Sequence, residues 1–196
     1  YENKVSALRN IFSEYGLIRH RVLVEIRWLQ WLADEPDIEE IKSLPSASKN
    51  FLNRIINEFS INDAERVKEI EETTNHDVKA VEYYIAEKIG SNTDIANVRD
   101  FIHFGCTSED INNLAYGLML HSARDEVLLP QMEKVLAELR TIANKYADLP
   151  MLSRTHGQIA SPTTLGKEIK NFIVRLARAS NQFTNVVIRG KLNGAV

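Results

Sequence analysis

Residues 109–146, EDINNLAYGLMLHSARDEVLLPQMEKVLAELRTIANKY, carry the reading that decides the fold. Ile111, Leu114, Leu118, Leu128, Met132, Val135, Leu139 and Ile142 recur at three- and four-residue spacing, which predicts one very long helix. At about 1.5 Å per residue it would run roughly 55 Å if straight. Pro130 should kink it, because proline removes a backbone donor and clashes with the preceding turn. Asp148-Leu149-Pro150 stops the pattern, and Ser161-Pro162 reads as an N-cap followed by proline at the first position of a second long helix, through about Asn185. Two long helices joined by a loop suggest a helical bundle.

Shorter helical patterns precede this stretch. Val5, Leu8, Ile11, Phe12 and Tyr15 form one, with Gly16 suited to the point where it ends or bends. From Leu17 to Ala33 the apolar set Leu17, Ile18, Val22, Ile26, Leu29 and Leu32 keeps the same rhythm with charges on the other side, until Asp34-Glu35-Pro36-Asp37 breaks it. Phe51, Leu52, Ile55, Ile56 and Phe59 mark a third helix, and Asn62 with Glu65 reads as a capping box opening a fourth. A helix from about His76 to Ile89 should close at Gly90, and a short one should hold Val98, Phe101 and Ile102. Strand signals are nearly absent. The expected fold class is all-α, with an N-terminal domain of short helices over 1–105 followed by the start of a long-helix bundle over 106–196.

Composition narrows the partners. The 196 residues carry 24 Lys and Arg against 27 Asp and Glu, a formal charge of -3, so there is no general electrostatic reason to expect binding to nucleic acid or to an anionic membrane. No apolar run reaches the roughly 18 residues a membrane span needs. The single cysteine, Cys106, cannot form an internal disulfide and fits a reducing cytoplasm. The chain starts at Tyr1 rather than methionine and stops in what reads as the start of an extended segment, Lys191 to Val196, so both ends look cut. Neither HExxH, GxGxxG nor a P-loop pattern is present, and His103 with Cys106 reads as packing rather than half a zinc site. No metal or cofactor is expected. Trp28, Trp31, Tyr83 and Tyr84 sit at helical positions and read as core or interface.

Three polar loops interrupt the helical pattern, each at or just before a predicted helix N-terminus, where free N–H groups and the helix dipole favour an anion. In Thr73-Thr74-Asn75-His76-Asp77-Val78-Lys79, Thr74 can cap with Asp77 capping back, and His76 and Lys79 lie one turn apart. In Gly105-Cys106-Thr107-Ser108-Glu109-Asp110, a glycine turn places two hydroxyls before the long helix. Ordinary N-capping explains either loop without a ligand. The third, Ser153-Arg154-Thr155-His156-Gly157-Gln158, sets a histidine among charge and hydrogen-bonding groups, and a histidine titrates near neutrality and can move a proton.

At these loops the chain resembles bacterial adenylosuccinate lyases of the fumarase and aspartase superfamily. The matching stretches are Thr-Thr-Asn75-His76-Asp77-Val-Lys-Ala-Val-Glu, Cys-Thr107-Ser108-Glu-Asp-Ile-Asn-Asn and Arg-Thr155-His156-Gly157-Gln158, in that order, with Lys-Val-Ser-Ala-Leu-Arg near the start and Asn193-Gly194-Ala195-Val196 at the end. The first stretch is the one specific to adenylosuccinate lyases. The resemblance implies a homotetramer with shared active sites that cleaves adenylosuccinate to AMP and fumarate, and also the succinyl-carboxamide ribotide of purine synthesis. It implies that His156 is the general acid on the departing nitrogen, that Thr107 and Ser108 hold substrate carboxylate, that Asn75, His76 and Asp77 contact the nucleotide side, and that Tyr1 belongs to an Arg-Tyr phosphate contact. In such enzymes the serine base lies on a flexible loop that matches nothing up to Val196, so this chain is expected to be inactive alone. The competing readings are another fumarate-releasing member of the superfamily, such as an argininosuccinate lyase or a fumarase, or a helical assembly module without chemistry.

Overall fold

The structure is a computed structural model, and it describes residues 1–90, 92 and 95–194. Two compact units divide them: residues 1–121 together with the segment from Ile188 onward, and Ser122–Val187.

The first unit is built on α2. Two 3-10 turns, Glu2–Lys4 and Ser6–Leu8, lead into α1 (Arg9–Phe12) and then α2 (Glu14–Asp34). Ser13 separates the two helices, its hydroxyl accepting the Gly16 N–H at 3.2 Å as an N-cap. Gly16 therefore lies inside the first turn of α2 rather than at a helix end. Its backbone packs against the carbonyls of Asn10 and Ile11, where a Cβ would overlap them. α3 (Ser46–Asn57), α4 (Ile61–Thr74) and α5 (Asp77–Gly90) pack around α2, and a 3-10 helix (Ala96–Phe101) leads towards α6 (Ser108–Ser122). Val22, Ile26, Leu29, Leu52, Val67, Val81, Ile85 and Ile89 form the centre of the core. Each such side chain contributes about 1.5–3 kcal/mol on burial. The capping box of α4 is Ser60 with Asp63, not Asn62 with Glu65. Asp63 accepts the Ser60 N–H at 2.9 Å and also bonds Tyr84 and Lys88, both at 2.8 Å. Burial would raise the Asp63 carboxyl, but the bonds from Lys88 and Ser60 outweigh it and hold it far below its usual range.

Not all of the charged side of α2 faces solvent. Besides the apolar stripe, His20, Arg21 and Glu25 are buried, while Glu14, Arg19, Arg27 and Asp34 stay exposed.

In the second unit the backbone passes through a π-helical segment, Ala123–Leu128, before α7 (Leu129–Lys145). That wider turn falls where the N–H of Pro130 is missing, the usual accommodation of a proline in a helical run. A β-hairpin follows, β1 (Pro150–Thr155) with β2 (Gln158–Thr164), antiparallel from Pro150–Thr164 to Thr155–Gln158, and these are the only strands among the described residues. The register slips between the Leu152–Pro162 and Arg154–Ile159 pairs, which puts an extra residue on β2 next to a proline that cannot donate to the ladder. Ser161 and Pro162 thus lie in a strand. The helix they were expected to open, α8 (Leu165–Thr184), starts at an N-cap on Thr164, whose hydroxyl accepts the Lys167 N–H at 3.2 Å. α7 and α8 pack through Leu136, Ala143 and Ile173. Helices dominate both units, and the fold is all-α apart from this hairpin.

Candidate functional site

The polar loops of the first unit converge. α4 ends on Thr74, and Asn75 takes the left-handed conformation (φ 49°) that lets the chain turn back, its N–H donating to the Glu71 carbonyl at 2.8 Å. Thr74 does not cap α5. Its hydroxyl donates to the His76 carbonyl at 3.2 Å, and the cap is His76, whose Nδ1 accepts the Lys79 N–H at 3.1 Å. An Nδ1 that accepts leaves the ring proton on Nε2, so the neutral Nε2–H form is the one this geometry selects. That Nε2 faces the Ser108 hydroxyl at 3.4 Å. Two helix N-termini, those of α5 and α6, therefore meet at a histidine and a serine. Both dipole ends favour negative charge at the same place.

α6 is held from inside. The fully buried Asp110 carboxylate accepts the N–H groups of Thr107 (2.9 Å), Asn193 (3.1 Å) and Gly194 (3.0 Å) and the Lys191 ammonium at 2.8 Å. Burial would raise this carboxyl, but Lys191 and the Thr107 and Asn193 amides pull it down to about 2. The segment Lys191–Gly194 is thereby stitched to the start of α6, beside Thr107 and Ser108. Ala195 and Val196, the end of the last matching stretch, lie outside the described residues.

Asp77, at the first position of α5, accepts the Val78 N–H at 2.9 Å and the Arg21 guanidinium at 2.5 Å. Its own partial burial would raise it, but Arg21 lowers it further. Arg21 is nearly buried and also donates to the Asn112 side chain at 2.9 Å, so one guanidinium on α2 fixes the starts of both α5 and α6. Glu25, one turn further along α2, meets His103 at 2.6 Å. His103 therefore hydrogen-bonds the buried Glu25 carboxyl and is not merely packing. Burial pushes the Cys106 thiol up to about 12.

Of the residues singled out from the sequence, His76 and Ser108 are in contact, with Asn75, Asp77 and Thr107 flanking them. Tyr1 stands fully exposed at the start of the first 3-10 turn. His156 belongs to the second unit, at the tip of the hairpin. His156 (φ 50°) and Gly157 (φ 74°) are both left-handed, the two-residue turn that matches the twist of a hairpin, and the imidazole is exposed. Arg21, Glu25 and Asp110 were missed. Only a charge interrupting the dense apolar pattern of α2, and an acid three residues after Thr107, could have signalled them. A cavity of 710 Å³ lined by Leu23, Trp28, Trp31, Ile111 and Leu118 is apolar apart from Arg27 and carries none of these residues.

Comparison with known proteins gives the family and the fold. A family model described as "Lyase" matches residues 1–196. The chain is 54% identical over its whole length to adenylosuccinate lyase of Haemophilus influenzae and 52% identical to that of Escherichia coli K12, and it spans 43% of each. The crystal structure of a fumarate lyase from Mesorhizobium sp. BNC1 superposes with a TM-score of 0.73 over 97% of this chain and 42% of the other, at 20% identity, which establishes a shared fold.

Proposed function

The chain belongs to the lyase family, and from that premise we propose that it is the part of an adenylosuccinate lyase that binds the dicarboxylate end of the substrate and protonates the leaving nitrogen. The observation that carries the reading is the His76 Nε2–Ser108 Oγ contact between two helix N-termini, which joins the stretch specific to adenylosuccinate lyases, through His76, to the Thr107-Ser108 stretch.

In the proposed reaction a base takes the proton from the succinyl carbon next to the C–N bond. The electron pair forms the fumarate double bond, the C–N bond breaks, and the nitrogen leaves as the amine of AMP. His156 supplies the proton that the nitrogen needs as the bond breaks, a role for which an exposed imidazole on a tight hairpin turn is suited. Thr107 and Ser108, at the N-terminus of α6, hold a succinyl carboxylate with the Ser108 hydroxyl and backbone amides, in the field of both helix dipoles. His76 in its Nε2–H form donates to the same region, while Asn75 and Asp77 shape the nucleotide side and Tyr1 meets phosphate. The same chemistry would serve the succinyl-carboxamide ribotide. A homotetramer, a cytoplasmic location and a division into domains at about residue 105 belong to the same proposal. No helix among the described residues is long and apolar enough to cross a membrane.

The test is fumarate release from adenylosuccinate, followed by ultraviolet absorbance, with the longest natural polypeptide containing this chain. Release that is saturable in adenylosuccinate is expected. A folded protein that neither releases fumarate nor binds adenylosuccinate would refute the assignment.

A further inference from the structure

We propose that Glu25 is a positioning residue of this site: through a charged pair with His103 it fixes the backbone turn that delivers Thr107 and Ser108. The functional part rests on the reading that those two residues hold a carboxylate.

Three observations carry the inference. First, Glu25 has no solvent-exposed surface, and its Oε1 lies 2.6 Å from His103 Nδ1 while its Oε2 is buried with no partner among the described residues. Burial raises the Glu25 carboxyl, and the bond and charge of His103 work against that rise; a carboxylate held here with a single partner needs that partner to carry charge. The other nearby cation, Lys79, is engaged by Glu82 at 2.7 Å, and Glu82 itself stands 3.8 Å from His103. His103 is thus left as the compensating cation, protonated on both ring nitrogens, with its Nδ1–H donated to Glu25. Second, His103 is a non-glycine residue at φ 64°. The left-handed region is unfavourable for an ordinary residue and persists where surroundings over-determine it. The bond to Glu25 is that determinant. Third, α2 grips the same turn again one helical turn later, where Trp28 Nε1 donates to the Phe104 carbonyl at 2.8 Å. The turn closes with the Cys106 N–H on the His103 carbonyl at 3.0 Å and Gly105 at φ 73°, and Thr107 follows directly.

The charged groups facing His103 are Glu25 from α2 and Glu82 and Lys79 from α5. Burial lowers the His103 imidazole, but the bond and charge of Glu25, helped by Glu82, outweigh it and raise it above 6.5. A raised histidine contributes stability that is complete below its unfolded value and is lost as pH rises through its folded value. Site order should therefore fail on the alkaline side.

The experiment is nitrogen-15 NMR of the histidine rings of this chain, with amide exchange, in the wild type, Glu25→Gln and His103→Gln. Protons on both His103 ring nitrogens at neutral pH are expected, with a His103 midpoint that falls by about 1 pH unit or more in E25Q. Exchange at Cys106, Thr107 and Ser108 should accelerate about 10-fold or more in E25Q and H103Q, with Val67 and Ile70 of α4 unchanged. A neutral His103 ring in the wild type at neutral pH, in either tautomer, overturns the proposal without any variant, as does a midpoint that E25Q does not move. Equal acceleration in α4 would reduce Glu25 to a general stability residue and equally overturn it. None of these readouts uses substrate, so they can fail while the fumarate assay succeeds, and the reverse.

Discussion

Removing either end of the Arg21–Asp77 pair should have unequal consequences, and the burial of each end says which is worse. The Arg21 side chain is 7% exposed and that of Asp77 is 47% exposed. Arg21→Met removes the guanidinium altogether and fills most of its volume with a thioether chain. One charge-assisted hydrogen bond, about 1.5–3 kcal/mol, and one to the Asn112 amide, about 1 kcal/mol, are lost. Against this, folding no longer has to desolvate a cation, which relieves several kcal/mol. The expected net cost is about 1 kcal/mol. Asp77→Ala instead leaves the guanidinium in place with only Asn112 as partner. Stranding a fully buried charge costs about 3–5 kcal/mol, and because water can reach the vacated Asp77 position the figure falls to about 2–3 kcal/mol. The Val78 N–H also loses its acceptor, and α5 loses an acid from its first turn, about 0.3–1 kcal/mol. Asp77→Ala should therefore be the more destabilising by at least about 1 kcal/mol, or about 2–4 °C in Tm for a chain of this size. Urea unfolding followed by circular dichroism measures both. A result in which Arg21→Met costs as much as Asp77→Ala would refute the view of Arg21 as a buried cation that the site must compensate.

Asp110, held at about 2 against an ordinary 3.8, should contribute stability that is complete above about pH 4 and fades as pH falls towards 2. Asp110→Asn should flatten the acid limb of the stability curve in that window, and an unchanged limb would contradict the role given to Lys191 and the Thr107 amide. Cys106, with its thiol pushed up to about 12, should react with a disulfide reagent at pH 8 roughly a thousand-fold more slowly than an ordinary cysteine, judged by thiolate fraction; a normal rate in folded protein would show the turn to be open. In the longest natural polypeptide containing this chain, His156→Ala should lower kcat for fumarate release by about 10²–10⁴, and an unaltered kcat would remove His156 from the acid role.

The helical pattern of the sequence was legible wherever apolar spacing was regular and capping was local. α3, α5 and the run through Ile142 are where their periodicity puts them, and Pro130 announces the irregular turn before α7. The misplaced details have local competitors. Ser60 with Asp63 offers the same box as Asn62 with Glu65 two residues earlier, and it is chosen because Asp63 also reaches Tyr84 and Lys88 across to α5. Thr74 could cap α5, but Asn75 in the left-handed region hands that position to His76. The hairpin escaped because β1 and β2 show no clean alternation and contain prolines, while the two-residue turn at His156–Gly157 organises them.

By itself the sequence determined the helical class, the polar loops at helix N-termini and the resemblance that links them, because spacing, capping chemistry and motif are properties of neighbours along the chain. Only the tertiary structure decided that His76 meets Ser108 and that Asp110 holds residues 191–194. Only it, too, turned two charges of α2 inward, so that Arg21 and Glu25 became anchors beneath the site. Those outcomes depend on which faces are covered and on partners between 32 and 91 residues away in the chain. A buried charge is tolerable only once such a distant partner has arrived.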